Sequence, residues 1–386
     1  MLSYWRLNNS IRILWDITYA CNLRCKHCFI EPEMRNKTDQ QLSKEATYRL
    51  LQNVCSGGII IQEFNFQGGE PLVASNFLHA VKWFGENEIP WSINTNGTLW
   101  DDCHYQIIKK YPPIGITVSI DGADSASHDW LRGQGVFSRL VATIKSLQEI
   151  ETRRGPVAID AICVLNQRNV KEFISLLDMA VQLGIREMVL NTLSIAGRAI
   201  DNWSILQPQS RELFDVLEFV CLHKGVYHGM MVYIPWATPI MIDYYNQLHS
   251  LDIPILNSGC HAIRSEMTIS PRGYLRPCPN ALDRLRIRFG EEAFPVDPDE
   301  CNLLDKDIMS IRTSNTFEKI YELLHGRSAA PRSDKCQRCL FSSLCQTCPS
   351  HRIIGEDPTA TLCYQFQEYI NQIENRSSKR SKGDKS

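Results

Sequence analysis

No run of apolar residues in this 386-residue chain approaches the length of a membrane-spanning helix. The opening Met1–Ser10 carries Arg6 where a secretory signal has an uninterrupted apolar stretch. A transmembrane helix is therefore not expected, and a cytoplasmic location is. Charge of one sign is also missing. The formal net charge is -2, so no large field recruits nucleic acid or anionic lipid, and neither is an expected partner. There is no internal repeat. Asn375–Ser386 contains no apolar residue and is rich in Ser, Lys and Arg, so residues 373–386 are expected to form a disordered basic tail.

Cysteine, by contrast, is abundant. Fifteen of them in a chain without an export signal argue against disulfides and for thiolates committed to metal. Cys55, Cys103, Cys163, Cys221 and Cys301 stand alone and read as small buried apolar residues; the others fall into tight clusters or turn motifs. Cys21, Cys25 and Cys28 lie in Ala20-Cys21-Asn22-Leu23-Arg24-Cys25-Lys26-His27-Cys28, directly after the apolar stretch Ile11–Thr18. Three thiolates on a short loop can hold three corners of a cubane iron–sulfur cluster. The fourth iron is then open to another ligand, which implies chemistry rather than electron storage.

From Ile11 to Leu193 short β-rich runs alternate with longer helical ones, the signature of parallel βα units. Strands are expected at Ile11–Thr18, Glu63–Gln67, Trp91–Thr95, Gly115–Asp121, Val157–Val164 and Glu187–Leu193, with helices filling the intervals. Six such units predict an α/β fold, a partial (βα)6 TIM-type barrel with its functional residues at the C-terminal ends of the strands. Past Leu251 the alternation stops. Glu266–Ile269 and Tyr274–Cys278 flank Ser270-Pro271-Arg272-Gly273 and predict a hairpin. An irregular stretch, Asn280–Ser333, and the dense segment Cys336–Cys348 follow. Metal clusters can supply the constraint that such a region lacks. The expected division is a barrel over 1–250, a small loop-rich domain over 251–372 and the tail.

The CxxxCxxC pattern at the end of a first strand resembles the radical S-adenosylmethionine (radical SAM) family, in which the open iron is chelated by the methionine part of SAM. Gly68-Gly69-Glu70-Pro71, after the second strand, is similar to the family's GGEP segment, which implies that Gly68, Gly69 and Glu70 bind the SAM amino group. By itself that run is more often a plain turn. Ser119-Ile120-Asp121-Gly122 with His128-Asp129-Trp130-Leu131-Arg132 resembles a segment that surrounds the SAM ribose and carboxylate, which implies contacts from Ser119, Arg132 and Asp121. His128 is read as a capping or core histidine. Asn191, Leu193 and the run Gly197-Arg198-Ala199 are similar to a region flanking the adenine, and His27 stands where the family carries an aromatic residue that can lie against it. Lys26 and Arg24 are expected to be solvated.

Cys260, Cys278, the run Cys336-x-x-Cys339-x5-Cys345-x-x-Cys348, and Cys363 resemble the seven-cysteine SPASM extension of peptide-modifying radical SAM enzymes. Two residues, Gln346-Thr347, stand where that pattern has three. The resemblance implies one auxiliary [4Fe–4S] cluster on Cys336, Cys339, Cys345 and Cys363 and another on Cys260, Cys278 and Cys348 with an open fourth site, so three clusters in all, together with SAM. A zinc ribbon is the competing reading of Cys336–Cys348 taken alone. The activity implied is reductive cleavage of SAM to a 5′-deoxyadenosyl radical, followed by oxidative modification of a precursor peptide through a carbon–carbon or thioether cross-link. An electron donor such as flavodoxin or ferredoxin is expected, and, since only twenty residues precede Cys21, leader recognition by a separate leader-binding protein or by an edge strand of the barrel or SPASM region. Three alternatives stand beside it. One is a formylglycine-forming sulfatase maturase, disfavoured because Pro279-Asn280 follows Cys278 and supplies no carboxylate base, though Asp283 is near. Another is a cofactor or tetrapyrrole-pathway enzyme, and the third a non-catalytic metal-binding or electron-transfer protein.

Overall fold

The computed structural model describes residues 10–31, 41–255, 260–279, 289, 292–293, 299–325, 333–341, 345 and 358–383. Cys348, Asn280 and Asp283 lie outside them. The six expected strands are all present, as β1 (Ser10–Thr18), β2 (Ile60–Gly68), β3 (Trp91–Thr95), β4 (Gly115–Ser119), β5 (Ile159–Val164) and β6 (Glu187–Asn191). They pair in sequence order and in parallel. A seventh parallel strand, β7 (Met230–Tyr233), joins β6, and the two-residue strand Val226–Tyr227 closes that edge. Sequence reading missed β7 because its apolar run is only four residues long.

Side-chain alternation divides the sheet into two faces. Ile11, Ile13, Trp15 and Ile17 of β1 are fully buried against the helices, beside Phe64 and Phe66 of β2. Aromatic rings dominate this outer layer: Trp15 lies 5.5 Å from Phe66, Phe64 4.7 Å from Phe84 and Phe66 5.0 Å from Phe77, centroid to centroid. Such pairs contribute roughly 0.5–1.5 kcal/mol each beyond their burial. The other face is polar. Asp16, Gln67, Asn94, Thr117 and Asp160 stand in register along one inner row of β1–β5. At the open edge, Met231 and Tyr233 of β7 occupy inward register positions yet are 56% and 55% exposed.

Two strands end earlier than the sequence predicts, and each has a visible cause. β4 stops at Ser119 because the Asp121 N–H turns to donate to His128 Nδ1 at 3.2 Å. β6 stops at Asn191 because Leu193 leaves the sheet for a small apolar cluster with Leu131 and Leu206. The short helix α1 (Ser125–Arg132) had no expected counterpart. Asp124 caps it by accepting from the Ser127 N–H at 2.9 Å, a signal readable in Asp124-Ser125-Ala126-Ser127.

The predicted hairpin, β8 (Glu266–Ile269) and β9 (Leu275–Arg276), forms, but as part of the barrel sheet. β8 pairs in parallel with β1, Arg12 opposite Glu266 through Trp15 opposite Ile269, and β9 lies antiparallel outside it. The stretch expected to be irregular holds two helices, Ile308–Arg312 and Asn315–His325. Their Ile308, Ile311, Phe317, Ile320 and Leu324 recur at helical spacing and are buried in the main core, so this region does share an apolar core. The expected tail, 373–386, begins within a helix. A terminal helix runs Pro358–Gly383, anchored by Leu362 and by Phe366, whose ring is 4.9 Å from Phe214. Once a helix is nucleated, Lys, Arg, Gln and Glu extend it at little cost. No helix among the described residues is long and apolar enough to cross a membrane.

Candidate functional site

The strand-to-helix loops gather at the C-terminal mouth of the barrel, and the cysteine loop follows β1 directly. Cys21 and Cys28 pack with Cys25, Leu23 and Val136 in one small apolar nest. Donors face the sulfurs: the Leu23 N–H is 3.4 Å from Cys21 Sγ, Asn96 Nδ2 is 4.0 Å from the same sulfur, and Arg132 Nη1 is 4.0 Å from Cys25 Sγ. An apolar nest with inward-pointing N–H donors suits thiolate ligands of an iron–sulfur cluster. Among the described residues no three Cys, His, Asp or Glu side chains are grouped as a single metal ion requires. Cubane ligands bind separate irons and need no such convergence.

The paired glycines serve close packing. A Cβ on Gly68 would stand 2.3 Å from the Thr18 carbonyl oxygen, and one on Gly69 2.1 Å from that of Ala20. Two backbone hydrogen bonds join the loops there, Gly69 N–H to Thr18 O at 2.7 Å and Glu70 N–H to Ala20 O at 2.9 Å. Only residues without side chains let the β2 loop lie against the start of the cysteine loop. Glu70 is 1% exposed and accepts from the Asn96 N–H at 2.7 Å, Thr95 Oγ1 at 2.8 Å and the Leu72 N–H at 3.3 Å. A carboxylate offers about four acceptor positions, so roughly one remains for an ammonium group. Burial pushes the Glu70 carboxyl up to about 7 against the pull of those donors and of Arg132.

Asp121 and Arg132 form a buried ion pair at the mouth. Asp121 also accepts from the Val164 N–H at 2.7 Å, and His27 Nε2 lies 3.7 Å from its Oδ2. Burial alone would raise the Asp121 carboxyl, but Arg132, then His27 and His128, hold it below the ordinary carboxylate range. The same pairing, together with Cys25, keeps Arg132 charged despite its burial. His128 is fully buried, and burial followed by the Arg132 charge lowers it to about 4, so it is neutral. Its Nδ1 accepts from Asp121, which matches the reading of a core histidine. Ser119 ends β4 on the inner face, and Asn191 ends β6 with its carbonyl taken by the Leu165 N–H. Leu193 is buried in its side cluster.

Two cations, Lys26 and Arg198, make contacts that the sequence does not announce. Lys26, expected to be solvated, packs its Nζ 4.8 Å from the Trp130 ring centroid and donates to the Trp130 carbonyl, while Arg168 covers Trp130 at 4.0 Å. An indole face attracts a cation that would otherwise stay in water. Arg198 and Asn202 clamp the cysteine loop from the β6 side: Arg198 Nε donates to the Cys25 carbonyl at 3.1 Å and Asn202 Nδ2 to that of Lys26 at 3.3 Å. Gly197, with φ 54°, permits this approach, since a Cβ there would lie 2.6 Å from Cys28 O. The Gly-Arg pair was the readable signal.

In the C-terminal region the Cys336, Cys339 and Cys363 thiols lie close enough for the charges of the first two to raise the third, whose thiol is shifted up chiefly by burial. Cys336 Sγ is 3.3 Å from Tyr364 Oη, and Gln367 Nε2 is 3.6 Å from Cys363 Sγ. Cys260 and Cys278 pack against the main core. None of the described cysteines is in a disulfide.

An open parallel barrel with a three-cysteine loop at its mouth defines the class: residues 15–180 match the model of the Radical SAM superfamily, and this part of the chain is a radical SAM domain. That family carries a [4Fe–4S] cluster and SAM. The chain is similar to the mycofactocin maturase MftC of Mycolicibacterium smegmatis, 26% identical over 282 residues, covering 72% of this chain and 66% of that protein. It is also similar to the AdoMet-dependent heme synthase of Nitratidesulfovibrio vulgaris, 31% identical over 138 residues, 36% of this chain and 37% of the other. The chain spans 52% to 66% of the length of the mycofactocin maturases it matches. Among solved structures, Streptococcus suis SuiB bound to S-adenosylmethionine shares the fold, with a TM-score of 0.65 at 17% identity over 91% of this chain and 77% of SuiB.

Proposed function

We propose that this chain is a peptide maturase that uses SAM to install a carbon–carbon or thioether cross-link in a ribosomally made precursor. The observation that carries the reading is the join between β1 and β8. It seats the hairpin beside β1, with its Ser270–Gly273 turn at the end of the strand from which the cysteine loop leaves, on a sheet whose polar inner face is open along β7. An extended chain can enter such an open side, and exposed Met231 and Tyr233 offer it apolar contact. The similarity to a protein named as a maturase supports the same reading.

When bound, the cluster and SAM supply the hydrogen-atom abstraction that no side chain can perform. The chain's own residues bind and orient. Cys21, Cys25 and Cys28 would hold the cluster, and Gly68, Gly69 and Glu70 the amino group of SAM. Ser119, Asp121 and Arg132 would border its ribose and carboxylate, and His27, Asn191 and Leu193 its adenine. Cys336, Cys339, Cys345 and Cys363 would hold one auxiliary cluster, and Cys260, Cys278 and Cys348 another with an open iron. Residues 251–372 form the auxiliary-cluster domain in this reading. The protein works in the cytoplasm with a flavodoxin or ferredoxin as donor and a separate leader-binding protein.

Anaerobic incubation with SAM, a reductant and the small peptides encoded nearby is expected to yield 5′-deoxyadenosine and one peptide lighter by two hydrogens. An unchanged mass for every candidate defeats the proposal. The identity to a heme synthase favours a second reading, tetrapyrrole maturation, in which SAM cleavage is stimulated by an iron porphyrin and by no peptide.

A further inference from the structure

The C-terminal cysteines carry hydrogen bonds that ligation alone does not call for. Cys363 and Gln367 lie one turn apart on the terminal helix, and Gln367 Nε2 donates to Cys363 Sγ at 3.6 Å. Tyr364, the residue after Cys363, reaches across to the short helix Asp334–Gln337, where its Oη is 3.3 Å from Cys336 Sγ. Ser333 caps that helix, its Oγ accepting from the Cys336 N–H at 3.3 Å, and the same hydroxyl is hydrogen-bonded to Tyr364 Oη. Lys335 Nζ lies over the Tyr364 ring, 5.0 Å from its centroid.

The chemistry of the sulfur fixes the direction of these bonds. A cysteine that binds metal is a thiolate with no proton to give, so the phenol donates to Cys336 Sγ. Tyr364 then has no second proton, and Ser333 donates to Tyr364 Oη. The result is a relay, Ser333 O–H to Tyr364 O–H to Cys336 Sγ, that holds the phenol proton on the sulfur. Tyr364 and Gln367 thus serve two of the four thiolates assigned above to one auxiliary site. A cubane on four thiolates is anionic, and one added electron makes it more so. Donors aimed at its sulfurs stabilise that added charge and raise the reduction potential. Zinc, which has no redox chemistry, would give them nothing to bias.

We propose that Tyr364 and Gln367 are positioning residues that raise the reduction potential of the site on Cys336, Cys339, Cys345 and Cys363 and so suit it to accept an electron, an assignment that rests on the auxiliary-cluster reading above. The step they bias is the gain of one electron by that site. No bond forms or breaks in it, and Tyr364 keeps its proton.

The test is an anaerobic redox titration of the full-length, iron-loaded protein, followed by electron paramagnetic resonance. Tyr364→Phe keeps the ring beneath Lys335 and removes only the hydroxyl. In that variant the equilibrium constant for reducing one cluster is expected to fall about tenfold, a midpoint about 59 mV more negative for a one-electron couple. Gln367→Leu should move the same midpoint in the same direction and the double variant should move it further, with the other midpoints and the iron content unchanged. A merely structural role would loosen iron and leave the midpoint where it is. A midpoint that stays put or turns more positive in Tyr364→Phe overturns the assignment. Where that variant loses iron, Gln367→Leu decides in the same way, and loss of iron from both overturns it as well. Metal analysis of the wild type tells the two failures apart: about 12 iron per chain leaves the auxiliary-cluster reading standing whatever the midpoints do, whereas about four iron with zinc overturns both.

Discussion

Gly69→Ala should displace the cysteine loop by a calculable amount. The added methyl would stand 2.1 Å from the Ala20 carbonyl oxygen and 2.5 Å from that of Tyr19, both backbone atoms that cannot swing aside. Heavy-atom contacts settle near about 3.5 Å, so the two loops have to part by more than ~1 Å. Overpacking of this kind costs about 1–3 kcal/mol. Parting also stretches the Gly69-to-Thr18 and Glu70-to-Ala20 hydrogen bonds, each contributing roughly 1 kcal/mol. The sum, about 3–5 kcal/mol, is a large share of the ~5–15 kcal/mol that stabilises a typical domain. Urea unfolding of the anaerobically purified protein measures it, and iron content before and after gel filtration reports whether the loop still holds its cluster. Gly58→Ala is the comparison: its backbone is left-handed, φ +69°, which that of Gly69 is not, but nothing lies within 4 Å of the new methyl. If Gly69→Ala loses no more stability or iron than Gly58→Ala, the packing role of the paired glycines is wrong.

Asp121→Asn leaves Arg132 charged and buried without its partner, a loss of roughly 3–5 kcal/mol. Because the Asp121 carboxyl titrates below its ordinary value, its stabilisation is present above about pH 4 and is lost as the pH falls through the folded value. Urea midpoints at neutral and acid pH should therefore converge for the wild type and the variant at the acid end, and parallel curves contradict the argument. Iron and sulfide analysis after air-free purification should give about 12 Fe per chain for three cubanes. About four iron with bound zinc would assign the C-terminal cysteines to a structural zinc site instead.

The strands of the barrel were legible because each is a short β-rich run bounded by turns, and the cysteine loop because its spacing carries its own chemistry. The packing of the site was less so. Gly68-Gly69 reads as a place for a ligand to approach, whereas the nearest atoms are carbonyls of β1's own loop, a contact between segments about fifty residues apart that no local pattern encodes. Lys26 looks solvated until the Trp130 face, brought in by α1, is known. Arg276 gave no signal at all, since its partner Tyr19 is 257 residues away. The buried helices of 308–325 were legible in principle, since Ile308, Ile311, Phe317, Ile320 and Leu324 recur at helical spacing.

The parallel pairing of β1 with β8 has a consequence for how the chain is made. Until residue 269 has been synthesised, β1 is an exposed edge with unsatisfied amides along one side, immediately before the three cysteines. Contacts closing so long a loop form late and slowly. A nascent barrel would thus keep its most oxygen-sensitive segment attached to an unfinished rim, and efficient cluster insertion should depend on the ribosome having delivered the hairpin first.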